Sequence, residues 1–185
     1  MDLFSSSKEE ILLDNEKADF YQDFLSPQEA RQMLDELINS IDWNQEYINF
    51  MGKISPIPRL TFWYSKESKP YTYSGIKVEP IPYTQIIEDL AKKVEDKSNM
   101  IFNSVLLNYY RDGNDSVSWH ADDERSLGTS INIASISLGV ERDFQFKRKD
   151  GTGERRQINL TNGSLLVMHS PIQEFWLHQI PKRKK

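Results

Sequence analysis

Six runs of strand-forming residues crowd the chain after Asn99, at 101–110, 130–138, 143–147, 155–160, 164–169 and 175–180. Between them stand Asp112-Gly113, Asp150-Gly151-Thr152-Gly153 and Asn162-Gly163, residue types that suit tight turns. Segments this short, closed by turns rather than by crossover helices, bury a common face most simply as an antiparallel sandwich or barrel. A βαβ arrangement does not fit that spacing.

Upstream the periodicity changes. Ser26-Pro27-Gln28-Glu29 has the form of a capping box with proline at the first helical position, and Ala30, Met33, Leu34, Leu37, Ile38 and Ile41 follow at helical spacing. A second helix is expected after Pro82, with Ile86, Ile87, Leu90, Ala91 and Val94 on its apolar face and an end near Asn99. Prolines at 56, 58, 70, 80 and 82 and several aromatics predict irregular short strands over 43–83. Residues 1–20, polar with a short apolar patch at Ile11-Leu12-Leu13, are expected to form an arm that docks late. The fold class is therefore mostly β (α+β), with two helices flanking the sheets on the N-terminal side.

A chain of 185 residues is long enough for one domain with a substantial core. It has no run of 18 apolar residues, and its acidic start (Asp2, Glu9, Glu10, Asp14) lacks the layout of a secretory signal, so a soluble intracellular protein is expected, in cytoplasm or nucleus, acting as a monomer away from membranes. The net charge of −5 is unevenly spread: residues 142–185 hold ten Lys or Arg against four Asp or Glu. That basic third is either a solvated hairpin and tail or a surface for a phosphate backbone.

No cysteine is present, which removes thiolate nucleophiles, zinc ribbons and iron-sulfur clusters. Any metal must be held by histidine and carboxylate, and there are only three histidines. In His120-Ala121-Asp122 an extended backbone puts the outer two side chains on one face. A third ligand could come from His169 or His178, both on late strands. Two histidines and one carboxylate on a face of an octahedron leave three open positions, the arrangement of non-haem Fe(II) oxygenases.

With these residues in view, the chain resembles the AlkB family of Fe(II)- and 2-oxoglutarate-dependent dioxygenases, particularly the DNA-repair members. The resemblance runs in order through Pro58-Arg59, Tyr71-Thr72-Tyr73-Ser74-Gly75, Asn108-x-Tyr110, His120-x-Asp122-Asp123-Glu124, Ile133 to Gly139, Arg142-Asp143-Phe144, Gly163 to Met168 and Trp176-x-His178-x-x-Pro181. It covers about two-thirds of the chain.

The resemblance implies a double-stranded β-helix, or jelly roll, with His120, Asp122 and His178 as the catalytic metal ligands and His169 outside the centre. Asn108 and Tyr110 match residues that bind 2-oxoglutarate. Tyr71, Tyr73 and Ser74, with Asp123 and Glu124, match the pocket for the base, which must leave the stack to reach a metal. Met51-Gly52-Lys53 falls where duplex-acting relatives place a hairpin finger, so Met51 either fills the gap left by a flipped base or packs as an ordinary hairpin methionine. The implied organisation is an arm over 1–20, a helical and nucleotide-recognition lid region over 21–99, and the jelly-roll core over 100–185.

The implied activity is oxidative demethylation of N-alkylated bases in DNA, of the 1-methyladenine and 3-methylcytosine type. It uses Fe(II), O2 and 2-oxoglutarate and releases formaldehyde, succinate and CO2. Alternatives are the same chemistry on RNA, or an impaired nucleic-acid-binding module of the same fold. The last reading arises because the family's final strand, whose arginine grips the far carboxylate of 2-oxoglutarate, is absent from the sequence, as expected of a fragment.

Overall fold

The computed structural model describes residues 8–13, 16–50, 52–66, 71–73, 76–78, 81–124, 128 and 130–183. In chain order its elements are β1 (Lys8–Leu13), β2 (Glu16–Tyr21), α1 (Pro27–Ser40), β3 (Tyr47–Phe50), β4 (Lys53–Pro56), β5 (Leu60–Ser65), β6 (Tyr71–Tyr73) and β7 (Ile76–Val78). There follow α2 (Gln85–Ser98), β8 (Ser104–Tyr109), β9 (Val117–His120), β10 (Ile133–Ser137), β11 (Arg142–Arg148), β12 (Arg155–Leu160), β13 (Ser164–Met168), α3 (Ile172–Phe175) and β14 (Trp176–Ile180). Every pairing is antiparallel.

Two compact units result, one formed by Met1–Ser40 with Val117–Arg183 and the other by Ile41–Ser116. The first is a sandwich of two four-stranded sheets, ordered β1-β2-β13-β10 and β12-β11-β14-β9. In β11 the alternation is clean: Phe144 and Phe146 are buried while Asp143 is exposed. These rings meet Leu13, Ala18 and Phe20 from β1 and β2, Leu166 and Met168 from β13, and Leu160, Ile172 and Trp176. Trp176 is fully buried and stands edge-on to Phe146. Its Nε1 donates to Glu16 Oε2 at 3.2 Å, which satisfies the indole inside the core. Strand β13 is buried at every position, as suits a strand in the interior of its sheet.

The capping box at the start of α1 is present in full. The Ser26 amide donates to Glu29 Oε2 at 3.0 Å and the Glu29 amide donates to Ser26 Oγ at 3.3 Å. Ala30 and Leu37 are buried from its apolar stripe. Residues 8–13 and 16–20, expected as an arm, instead supply two strands, with β2 paired to β13 from Leu165↔Tyr21 to Met168↔Ala18. The reason is visible in Ala18 and Phe20, which join the core cluster from inside a segment of polar average composition.

The second unit holds the β3–β4, β6–β7 and β5–β8 pairs with α2. Helix α2 ends where Asn99 takes the left-handed conformation (φ 56°) and donates its amide to Glu95 O. Some expected strands are shorter: 101–103 precede β8, 130–132 precede β10, and Phe175 closes α3 instead of opening β14. Among the described residues, no helix is long and apolar enough to cross a membrane.

Candidate metal centre

The first unit brings His120, Asp122 and His178 together from two adjacent strands. His120 ends β9 and pairs directly with His178 of β14, and Asp122 follows two residues beyond β9. One nitrogen or oxygen from each of the three lies within 4.8 Å of the others. Asp122 Oδ1 is 3.8 Å from His120 Nε2, and its Oδ2 is 3.5 Å from His178 Nε2.

The two rings have different surroundings. Nδ1 of His120 lies 2.8 Å from the carbonyl of Ser118, which can only accept, so Nδ1 carries a proton and Nε2 is the nitrogen that a neutral ring would offer to a metal. His178 is 4 % exposed and its ring stacks on Phe144 at 5.3 Å with an interplanar angle of 15°. Its Nδ1 is buried and has no hydrogen-bond partner among the described residues. The nitrogen that faces Asp122 is the other one, Nε2. Two imidazoles and a carboxylate gathered at this spacing fit a first-row divalent ion such as Fe(II).

Next to the centre, Asp123 is exposed and forms an ion pair with Lys149 at 3.0 Å. Glu124 is half-buried; burial pushes its carboxyl above the usual range, its own backbone amide opposes that, and the charges of Asp122 and Asp123 add to the rise. His169 lies apart from the three, with Nε2 2.9 Å from Asp19 Oδ2.

The remaining candidates belong to the second unit. Asn108 sits on β8 opposite Thr61, and Tyr110 follows the strand, half-buried. Asn108 Oδ1 accepts a hydrogen bond from Arg59 Nε at 2.8 Å. A guanidinium can only donate, so this contact fixes the amide orientation and directs the Nδ2 hydrogens elsewhere. Tyr71 and Tyr73 lie on β6, while Ser74 and Met51 fall outside the described residues. Gly52 and Lys53 are exposed at the β3–β4 hairpin, where Gly52 has φ +80°.

Four contacts had no sequence signal. Gln173 accepts from the Asp122 amide at 3.0 Å, Lys149 reaches both Asp123 and the Gln173 carbonyl, and the Arg155 guanidinium lies 5.7 Å over the Trp119 ring. All join residues far apart in the chain, and a single amide or lysine carries no spacing pattern.

Residues 17–185 match the family model described as the 2OG-Fe(II) oxygenase superfamily. The chain is 39% identical over 171 residues to the "Alpha-ketoglutarate-dependent dioxygenase alkB homolog 3" of Mus musculus, covering 88% of this chain and 59% of that protein. It is 36% identical over 165 residues to the "DNA oxidative demethylase ALKBH2" of Homo sapiens (82% and 63%) and 34% identical over 165 residues to that of Mus musculus (82% and 69%). It thus spans about three-fifths of the length of the homolog 3 proteins it matches. The solved structure of OsALKBH1 superposes with a TM-score of 0.62 at 14% identity, over 95% of this chain and 88% of that one, a likeness of fold.

Proposed function

Because the chain belongs to the AlkB family within the 2OG-Fe(II) oxygenase superfamily, we propose that it is an oxidative demethylase of N-alkylated bases in DNA. The observation that carries this reading is the His120, Asp122 and His178 cluster, in which one donor atom from each residue lies within 4.8 Å of the others. The family's cofactor and cosubstrate are Fe(II) and 2-oxoglutarate. Together with O2 they supply the oxidising power that hydroxylates an N-methyl group, whose hydroxymethyl product collapses to formaldehyde and the unmodified base.

The chain's own residues hold and aim. His120, Asp122 and His178 would hold the ion, and the Ser118 carbonyl favours the His120 tautomer with its proton on Nδ1, which leaves Nε2 as the nitrogen for that task. In this reading Asn108 and Tyr110 contact 2-oxoglutarate. The Arg59 contact suits Asn108 to the role, because it turns the donating face of the amide away from the guanidinium and makes it available to a carboxylate. Tyr71, Tyr73 and Ser74 would grip the extruded base, with Asp123 and Glu124 beside it. Ring faces and carboxylates favour a base that carries the positive charge of N-methylation. Met51, Gly52 and Lys53 would serve as the finger that enters a duplex.

The test is formaldehyde release from single- and double-stranded oligonucleotides bearing 1-methyladenine or 3-methylcytosine, with Fe(II) and 2-oxoglutarate supplied. Release that disappears in Asp122→Ala is expected. A chain that binds metal and 2-oxoglutarate but frees no formaldehyde from DNA would overturn the reading, and release from RNA alone would reassign the substrate.

A further inference from the structure

Asp122 lies outside the β9–β14 ladder, whose pairs are His120↔His178 and Val117↔Ile180. Both histidines are held by strand pairing, but a carboxylate ligand on a loop needs some other hold if it is to stay within about 0.5 Å of a productive position. We propose that Gln173 is the positioning residue for Asp122, braced by Lys149. The inference rests on the reading of His120, Asp122 and His178 as metal ligands and extends it to residues not otherwise assigned a role.

Gln173 is 3 % exposed, and a buried amide of this kind must be accounted for at both ends. Its Oε1 accepts the Asp122 N–H at 3.0 Å, and its Nε2 points at the sulfur of buried Met168 at 3.7 Å. The reverse orientation would set two donors face to face at Asp122, so the amide has one acceptable state. Lys149 Nζ donates to the Gln173 carbonyl at 2.8 Å and pairs with Asp123 at 3.0 Å. Residues 122 and 123 are therefore tied at two consecutive points to α3 and its lysine brace.

The location of α3 gives these ties their meaning. It runs directly into β14, the strand that carries His178. One short stretch of chain thus supplies a histidine ligand and, through Gln173, restrains the carboxylate ligand that arrives from the end of β9. A single neutral hydrogen bond of this kind adds little to folding. Its effect is expected in metal affinity, where outer partners of ligands commonly act about 10- to 100-fold.

The test titrates Mn(II) alone into the 185-residue chain, by calorimetry or by the paramagnetic signal of free Mn(II), beside thermal unfolding of the metal-free protein. Gln173→Met keeps the volume and removes the acceptor; it should weaken Mn(II) binding about 10-fold or more and move the metal-free Tm by only a few degrees. Gln173→Glu restores an acceptor oxygen at the same reach and should return affinity to within about threefold of wild type. Equal affinity of Gln173→Met and wild type overturns the inference, as does an equal loss in Gln173→Met and Gln173→Glu, which would assign the effect to packing. Should Gln173→Met fail to fold, Lys149→Met takes its place: about threefold weaker binding supports the proposal and unchanged binding overturns it. Wild-type binding abolished by His178→Ala keeps the ligand reading intact whatever Gln173 does, whereas no wild-type binding overturns both.

Discussion

Nε2 of His169 lies 2.9 Å from Oδ2 of Asp19, a contact between residues 150 positions apart in sequence. The same carboxylate meets Lys8 Nζ at 2.8 Å through its other oxygen. His169 is thereby engaged within the sheet formed by β1, β2, β13 and β10, while His120 and His178 converge on Asp122.

That division predicts unequal responses to metal. His178→Ala should weaken Mn(II) binding by more than about 100-fold, beyond the range of outer partners. His169→Gln should leave the affinity at the wild-type value. Titration of both variants checks this, and a comparable loss in His169→Gln would contradict it.

The Asp19 carboxyl gives a pH dependence. Burial alone would push it up, but the Lys8 ammonium and the His169 ring outweigh burial, and the carboxyl lies below its ordinary value of 3.8. A group depressed in the folded state contributes stability that is present above the unfolded value and is lost as the pH falls through the folded one. Resistance to urea should therefore weaken below about pH 4. Asp19→Asn should lack about 1–3 kcal/mol already at neutral pH and show a flatter acid limb. Parallel acid limbs in the two proteins would contradict the assignment.

Two glycines with similar backbone should differ sharply. Gly163 has φ +80°, and a Cβ there would come within 2.7 Å of the Leu25 carbonyl oxygen; Gly151 has φ +82° and nothing within 4 Å. Gly151→Ala should cost about 1–2 kcal/mol for the left-handed conformation alone. Gly163→Ala should cost clearly more, because Leu25 donates its amide to the Gly163 carbonyl at 2.9 Å and cannot move aside without breaking that bond. Paired denaturant curves measure the difference.

Tyr83 should titrate late. Burial, helped by the charge of Glu95, pushes its hydroxyl up to about 12, and that hydroxyl has no hydrogen-bond partner among the described residues. Because the folded value is raised, the associated stability is intact below the unfolded value of about 10 and is lost as the pH rises toward 12. An ultraviolet titration of the tyrosines should lose its latest component in Tyr83→Phe. The variant should be as stable as wild type or slightly more so, since it removes a buried hydroxyl without a partner.

Local patterns made much of this molecule legible. The Ser26 to Glu29 capping box, the stripe of α2 and the alternation of Phe144 and Phe146 each follow from contacts within a few residues, and each is present. The centre was harder to read. His120-x-Asp122 alone left His169 and His178 equal as third ligands, because the choice depends on which late strand lies beside β9. Resemblance to the family separated them, and the His120↔His178 register agrees. Strands β1 and β2 escaped the sequence reading because Ala18 and Phe20 are interleaved with Lys17 and Asp19, and the next residue of the same face is Glu16, a carboxylate buried against Trp176. Helix α3 and the Gln173 contact left no periodic trace.

The direct pairing of His120 with His178 also links the centre to the alignment of β14. Side chains along a strand alternate between faces, so a slip of β14 by one residue would carry His178 to the far side of its sheet and put Leu177 or Gln179 in its place. An ion held by both rings would act as a peg that admits one alignment and rejects its neighbours. The last described strand would then gain its correct seating and its chemistry in the same event.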